Sequence, residues 1–92
     1  MQVKWLHRAL RNLEQARNYV FPANPTAAQE LIIKIQNAAN QLENYPFMGK
    51  SGRVEGTKEL IISNSPYILI YRVKDESVEI IRILHTSKRY PE

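Results

Sequence analysis

The chain has 92 residues, a formal net charge of +4 at pH 7 and no cysteine. That length holds one domain, residues 1–92, with one modest core. Without cysteine there are no disulfides or thiolate-held metals, and the two histidines, His7 and His85, stand too far apart to suggest a metal site, so neither metal nor cofactor is expected.

A hydrophobic share of 43% and a charged share of 24% are those of a soluble globular protein. No apolar run approaches the roughly 18 residues of a membrane span. Met1 to Leu6 is not followed by a signal-peptide apolar region, so a cytoplasmic protein is expected. The basic balance suits nucleic acid, the ribosome or an acidic protein as partner. Alone it is a weak pointer, because many small soluble domains share it.

In chain order, Gln2 to Leu6 alternates as a short strand, with Val3 and Trp5 on one side and Lys4 on the other. The period then lengthens. Leu6, Ala9, Leu10, Leu13, Ala16 and Val20 form one stripe of an amphipathic helix, backed by Arg8, Arg11, Asn12, Gln15 and Asn18. That polar side reads as solvated. Pro22 and Pro25 end the helix near Tyr19 to Phe21. Asn24-Pro25 then supplies an N-cap and a first-turn proline for a second helix. Its stripe is Ala28, Leu31, Ile32, Ile35, Ala38, Ala39 and Leu42. So short a connection predicts an antiparallel helical hairpin.

Tyr45 to Gly56 holds all the glycines, Gly49, Gly52 and Gly56, and reads as a loop. Tyr45 and Phe47 are expected to anchor it to the core, with Lys50 and Arg53 in solvent. Gly49-Lys50-Ser51 imitates the end of a phosphate-binding loop, but Asn44 stands where that motif needs glycine and a helix precedes it. Thr57 to Ser63 is a strand, and Asn64-Ser65-Pro66 a turn. Tyr67 to Val73 and Val78 to Leu84 form a hairpin closed by Lys74-Asp75-Glu76-Ser77. The expected fold is α+β: a small, mostly antiparallel four-stranded sheet in the order β-α-α-β-β-β, with the helical hairpin on one face.

Pairing Lys74 with Ser77 sets Arg72 opposite Glu79, Ile70 opposite Ile81 and Ile68 opposite Ile83. This nearly pure aliphatic face is expected beneath the helices, with Arg72–Glu79 as a structural ion pair at its end. The other face carries Tyr67, Leu69, Tyr71 and Val73 against Val78, Ile80, Arg82 and Leu84, and is expected to be open. Pairing Ile62 with Tyr67 adds Lys58 beside Tyr71; a one-residue slip would bring Glu59 instead. Parity puts His85 on the aliphatic side, at a strand end where parity is a poor guide.

Arg82 stands out, because a strand-centre arginine without a carboxylate opposite is costly unless it meets solvent or an anion. No Ser/His/Asp or Cys/His set is present, nor a conspicuous carboxylate pair. Catalysis would therefore fall to Arg, Lys, His and Tyr, a set suited to RNA cleavage by its own 2′-hydroxyl. Lys58 and Arg82 would stabilise the phosphate while His85 or Tyr90 moves the proton. An unperturbed tyrosine, with a pKa of about 10, is a poor base at neutral pH unless cations lower it.

Three runs taken together resemble the RelE/ParE superfamily of bacterial toxins: Gly52-Arg53-Val54-Glu55-Gly56-Thr57-Lys58-Glu59-Leu60, Pro66 to Val73, and Ile83-Leu84-His85 with Lys88-Arg89-Tyr90-Pro91. Asn24-Pro25-Thr26-Ala27-Ala28 adds to the resemblance, which covers nearly the whole chain. It implies a type II toxin neutralised by a cognate antitoxin, acidic and partly disordered when free. The target it implies is DNA gyrase for the ParE-like branch or ribosome-bound mRNA for the RelE-like one. The ribonuclease branch implies roles for Arg53 or Lys58, for Arg82, and for His85 or Tyr90; whichever the target, Lys50, Arg53, Lys88 and Arg89 are expected to contact it. Its usual dense lysine cluster is thinned here to Lys50, Arg53 and Lys58. The Arg53-to-Leu60 run and the Ile83-Leu84-His85 ending resemble the ParE branch more, so a gyrase poison is the favoured reading. The alternatives are the ribonuclease and a non-toxic basic binding domain.

Overall fold

A computed structural model describes residues 1–91. Strand β1 (Gln2–Trp5) leads into helices α1 (His7–Val20) and α2 (Pro25–Gln41). Strands β2 (Lys50–Ser51), β3 (Lys58–Ile61), β4 (Tyr67–Lys74) and β5 (Ser77–His85) follow. The sheet order is β1-β5-β4-β3-β2; β1 runs parallel to β5 and every other pairing is antiparallel. A fifth strand joins the four expected: Lys50 and Ser51, read as loop, pair with Glu59 and Lys58.

Local chemistry sets the element ends. Asn24 Oδ1 accepts the Ala27 N–H at 3.0 Å, capping α2 ahead of Pro25. The β4–β5 turn has only Asp75 and Glu76 between the paired ends, at φ 51° and 60°. These are left-handed angles at both positions of a two-residue hairpin turn, normally the place of Asn-Gly. The turn falls where the sequence placed it, with Lys74 paired to Ser77, although it lacks the glycine that usually marks such a turn.

The helices cover the face opposite to the one expected. Ala9, Ala16, Ile35, Ala39 and Leu42 pack with Tyr67, Leu69, Tyr71, Val78, Ile80 and Ile83, while Ile70 and Leu84 lie outside this cluster. Purely aliphatic composition was the wrong criterion, because a tyrosine enters a core when its hydroxyl finds a partner. The Tyr71 hydroxyl accepts the Gly49 N–H at 2.9 Å. A Cβ at Gly49 would stand 2.7 Å from that oxygen, so only glycine admits the approach. Gly49, not the expected aromatics, docks the loop: Tyr45 and Phe47 are 66% and 64% exposed. In α1 the small residues Ala9 and Ala16 are buried, and Leu10 is turned out.

The register also departs from simple parity. Arg72 pairs with Glu79 and Tyr71 with Ile80, but Ile70 pairs with Arg82, so Ile81 is the extra residue of a β-bulge. Beyond it every β5 side chain changes face relative to an unbroken ladder. Inverting the covered face and inserting the bulge offset each other at Arg82, which lies on the helix-free side as expected. Its cross-strand neighbour there is Ile70.

Candidate functional site on the helix-free face

Across β3, β4 and β5 the helix-free face carries the row Glu59, Ile70, Arg82. Arg53 reaches this row from the loop between β2 and β3. Its Nε lies 3.1 Å from Glu59 Oε2 and its Nη2 3.1 Å from Oε1, and its own backbone N–H donates to Oε2 at 2.9 Å. Arg53 is exposed, as expected, but its guanidinium is folded onto Glu59. Glu59 is 2% exposed. Hydrogen bonds from Arg53 hold its carboxyl below the usual range against the upward push of burial, and the same contact raises Arg53.

Tyr90 closes the arrangement from the C-terminal segment. Its ring centroid is 5.2 Å from Arg53 Cζ and 5.6 Å from Arg82 Cζ, within cation–π range of both. The Tyr90 carbonyl also lies 3.5 Å from Arg53 Nη1. Of the residues singled out in the sequence, the structure thus gathers Arg53, Arg82 and Tyr90.

The others lie elsewhere. Lys58 pairs with Tyr71 and shares its helix-covered face, with Nζ 5.7 Å from the Phe47 ring centroid. It was expected beside Arg82 on an open face; the inversion of the covered face separates them. His85 pairs with Tyr67, also on the helix side, and the two rings meet edge-to-face at 5.2 Å. Its Nδ1 accepts the Ser87 N–H at 3.1 Å, so it caps the turn after β5. Lys50, Lys88 and Arg89 are exposed. Arg72 and Glu79 form their ion pair on the helix-free side, near Lys4, which pairs with Glu79. The expected place beneath the helices is corrected with the face.

Sequence reading missed Glu59 as the organiser of this corner, admitting it only as a register slip. The available signal was Arg53 six positions earlier across a glycine-rich loop, the spacing of a side chain returning onto its own hairpin. Among the described residues no group of three His, Cys, Asp or Glu side chains is placed to hold a metal, and no helix is long and apolar enough to cross a membrane.

A helical hairpin on one face of a five-stranded sheet, with a basic and aromatic corner on the other, defines a small α+β sheet-and-hairpin fold. The family described as the ParE toxin of the type II toxin–antitoxin system parDE matches residues 3–90, and this chain belongs to it. It is 34% identical over 91 residues to putative toxin Y4kP of Sinorhizobium fredii, covering 99% of this chain and 94% of the relative. It is 36% identical over 87 residues to toxin RelE2 of Caulobacter vibrioides, covering 95% and 97%. Among solved structures, the chromosomal ParDE toxin–antitoxin system from P. aeruginosa superimposes with a TM-score of 0.85 at 23% identity, over 92% of this chain and 95% of that one. The toxin–antitoxin complex RelBE2 from Mycobacterium tuberculosis gives 0.60 at 27% identity, over 91% and 95%. The structural likeness to the ParDE system, at that identity, speaks for the fold.

Proposed function

We propose that this toxin arrests growth by binding DNA gyrase without cutting RNA itself. The observation that supports this reading is the separation of the groups a ribonuclease would need. Arg82 and Tyr90 lie on one side of the sheet, and Lys58 and His85 on the other. Arg53, the second cation at Arg82's corner, is already neutralised by Glu59. Cleavage through a pentacovalent phosphate needs converging cations and a proton carrier within hydrogen-bond reach of one point. A binding surface needs no such convergence. The exposed Lys88 and Arg89 would supply electrostatic complementarity to an acidic partner surface.

The contact of Arg82 with Tyr90 favours a second reading, a ribosome-dependent ribonuclease in which that pair alone carries the chemistry. In either case the net charge of +4 suits a cognate antitoxin that is acidic and folds as it wraps the toxin. Brief induction, followed in parallel for gyrase-linked DNA breaks and cleavage within codons of translated mRNA, separates the two. DNA breaks with intact mRNA, and inhibition of supercoiling by the purified protein, are expected. Codon-internal cleavage without breaks, abolished by Arg82→Ala, would overturn the gyrase reading.

A further inference from the structure

The helix-free face is not bare. Ile70 is 0% exposed and Leu84 2%, although neither belongs to the helix-covered cluster. What lies on this side is the chain's own C-terminal segment. It turns back after β5, with the Thr86 N–H on the Pro66 carbonyl at 2.8 Å and the Lys88 N–H on the His85 carbonyl at 2.9 Å. It then brings Tyr90 between the guanidinium of Arg82, on β5, and that of Arg53, which is pinned over Glu59 on β3. Ile70 lies between Arg82 and Glu59 in the sheet, the row whose two guanidinium groups the Tyr90 ring approaches.

We propose that residues 86–91 form an intramolecular strap over the helix-free face, latched by Tyr90 between Arg53 and Arg82, and that this strap opens while the sheet beneath it stays folded, uncovering Arg82 and the apolar side chain of Ile70. The chemistry favours a latch over a permanent seam. Both latch contacts are cation–π contacts at a partly wet surface, the weak end of such interactions. A segment held at its far end by these two contacts and the long Arg53–Tyr90 carbonyl contact opens more readily than the hydrogen-bonded sheet beneath it. The face has a covered and an uncovered state, and the difference between them rests on one aromatic ring. This inference does not depend on whether gyrase or mRNA is the target.

The test compares Tyr90→Ala with Tyr90→Phe, which keeps the ring and loses only the hydroxyl. Trypsin cuts after Lys88 and Arg89, and when the strap opens and recloses quickly the rate follows the open population. Rates are normalised to free peptides carrying the same substitutions, which removes the protease's own preference at position 90. Loss of two weak cation–π contacts should raise cleavage roughly tenfold in Tyr90→Ala, with a parallel gain in binding of a hydrophobic dye, while Tyr90→Phe stays close to the parent. Equal cleavage of Tyr90→Ala and the parent would overturn the latch. So would release of the strap in Tyr90→Phe to the same degree as in Tyr90→Ala. Cleavage after Lys74 and Arg82 as fast as after Lys88 would refute a strap that opens apart from the rest of the fold.

Discussion

Asn12, on α1, holds the backbone of Ile83, on β5: its Oδ1 accepts the Ile83 N–H at 3.2 Å. The contact solves an edge problem. Strand β1 pairs with β5 only as far as Ile80, and the chain then turns into α1 just after Leu6 donates to the Ile80 carbonyl. Beyond that point the outer edge of β5 has lost its strand partner, and the helix supplies an acceptor in its place. Removing the acceptor strands a part-buried N–H. Asn12→Ala should cost about 1–3 kcal/mol, read as a lower urea midpoint at unchanged m-value. Asn12→Asp keeps an acceptor oxygen and should recover most of the loss.

The polar side of α1 was read as solvated, and for most of it that holds. Asn12 is the exception, and no periodicity argument could single it out, because its partner is a main-chain group of the bulged part of β5. The elements themselves were legible because each rests on local chemistry: prolines to stop α1, the Asn24-Pro25 start of α2, and β-branched runs in β4 and β5. What was hidden is non-local. The bulge at Ile81 has no residue signature, and it reverses the facing of all that follows it in β5. The covered face was misread because Tyr71 earns its burial through Gly49, a loop residue 22 positions away. Arg82 was placed on the correct side by two errors that cancel, whereas Lys58, before the bulge, received only one of them.

The Arg53–Glu59 pair gives the fold a dependence on acid. The folded carboxyl of Glu59 titrates below its unfolded value of about 4.3. Its contribution is therefore complete above that unfolded value and is lost as pH falls through the lower folded one. Glu79, lowered in the same direction by Arg72, adds to the slope. Glu59→Gln should flatten, without abolishing, the fall in stability between about pH 5 and pH 2, measured by denaturation at a series of pH values. Arg53→Met should be the more damaging change at pH 7. It leaves a buried carboxylate without its cation, whereas Glu59→Gln leaves a half-exposed guanidinium that water can solvate.

The β4–β5 turn invites a stabilising substitution. Glu76 has a φ of 60° with no glycine to relieve it, and left-handed backbone costs an ordinary L-residue about 1–2 kcal/mol. Glu76→Gly removes the Cβ at the second position of a two-residue hairpin loop, where glycine is the favoured residue. A gain of about 0.5–1 kcal/mol is expected once the extra freedom of glycine in the unfolded chain is subtracted. A raised urea midpoint would show it; a lowered one would mean that the Glu76 side chain does more than the backbone angle suggests.

Deleting Ile81 tests the bulge directly. In a regular ladder continued from the Arg72–Glu79 pair, the position opposite Ile70 is that of residue 81. The native strand instead brings Arg82 there because Ile81 is skipped. Removing Ile81 therefore leaves Arg82 opposite Ile70, Ile83 opposite Leu69 and His85 opposite Tyr67, with the ladder made regular. The deleted chain should fold with the same facing pairs, losing about 1–2 kcal/mol for one half-buried isoleucine. Deleting Ile83 instead moves Leu84 and His85 to the wrong faces and should abolish the fold. Cross-strand nuclear Overhauser effects between residues 70 and 82 decide the matter. Their loss in the Ile81 deletion would show that the bulge sets the position of Arg82 through its local twist rather than through register alone.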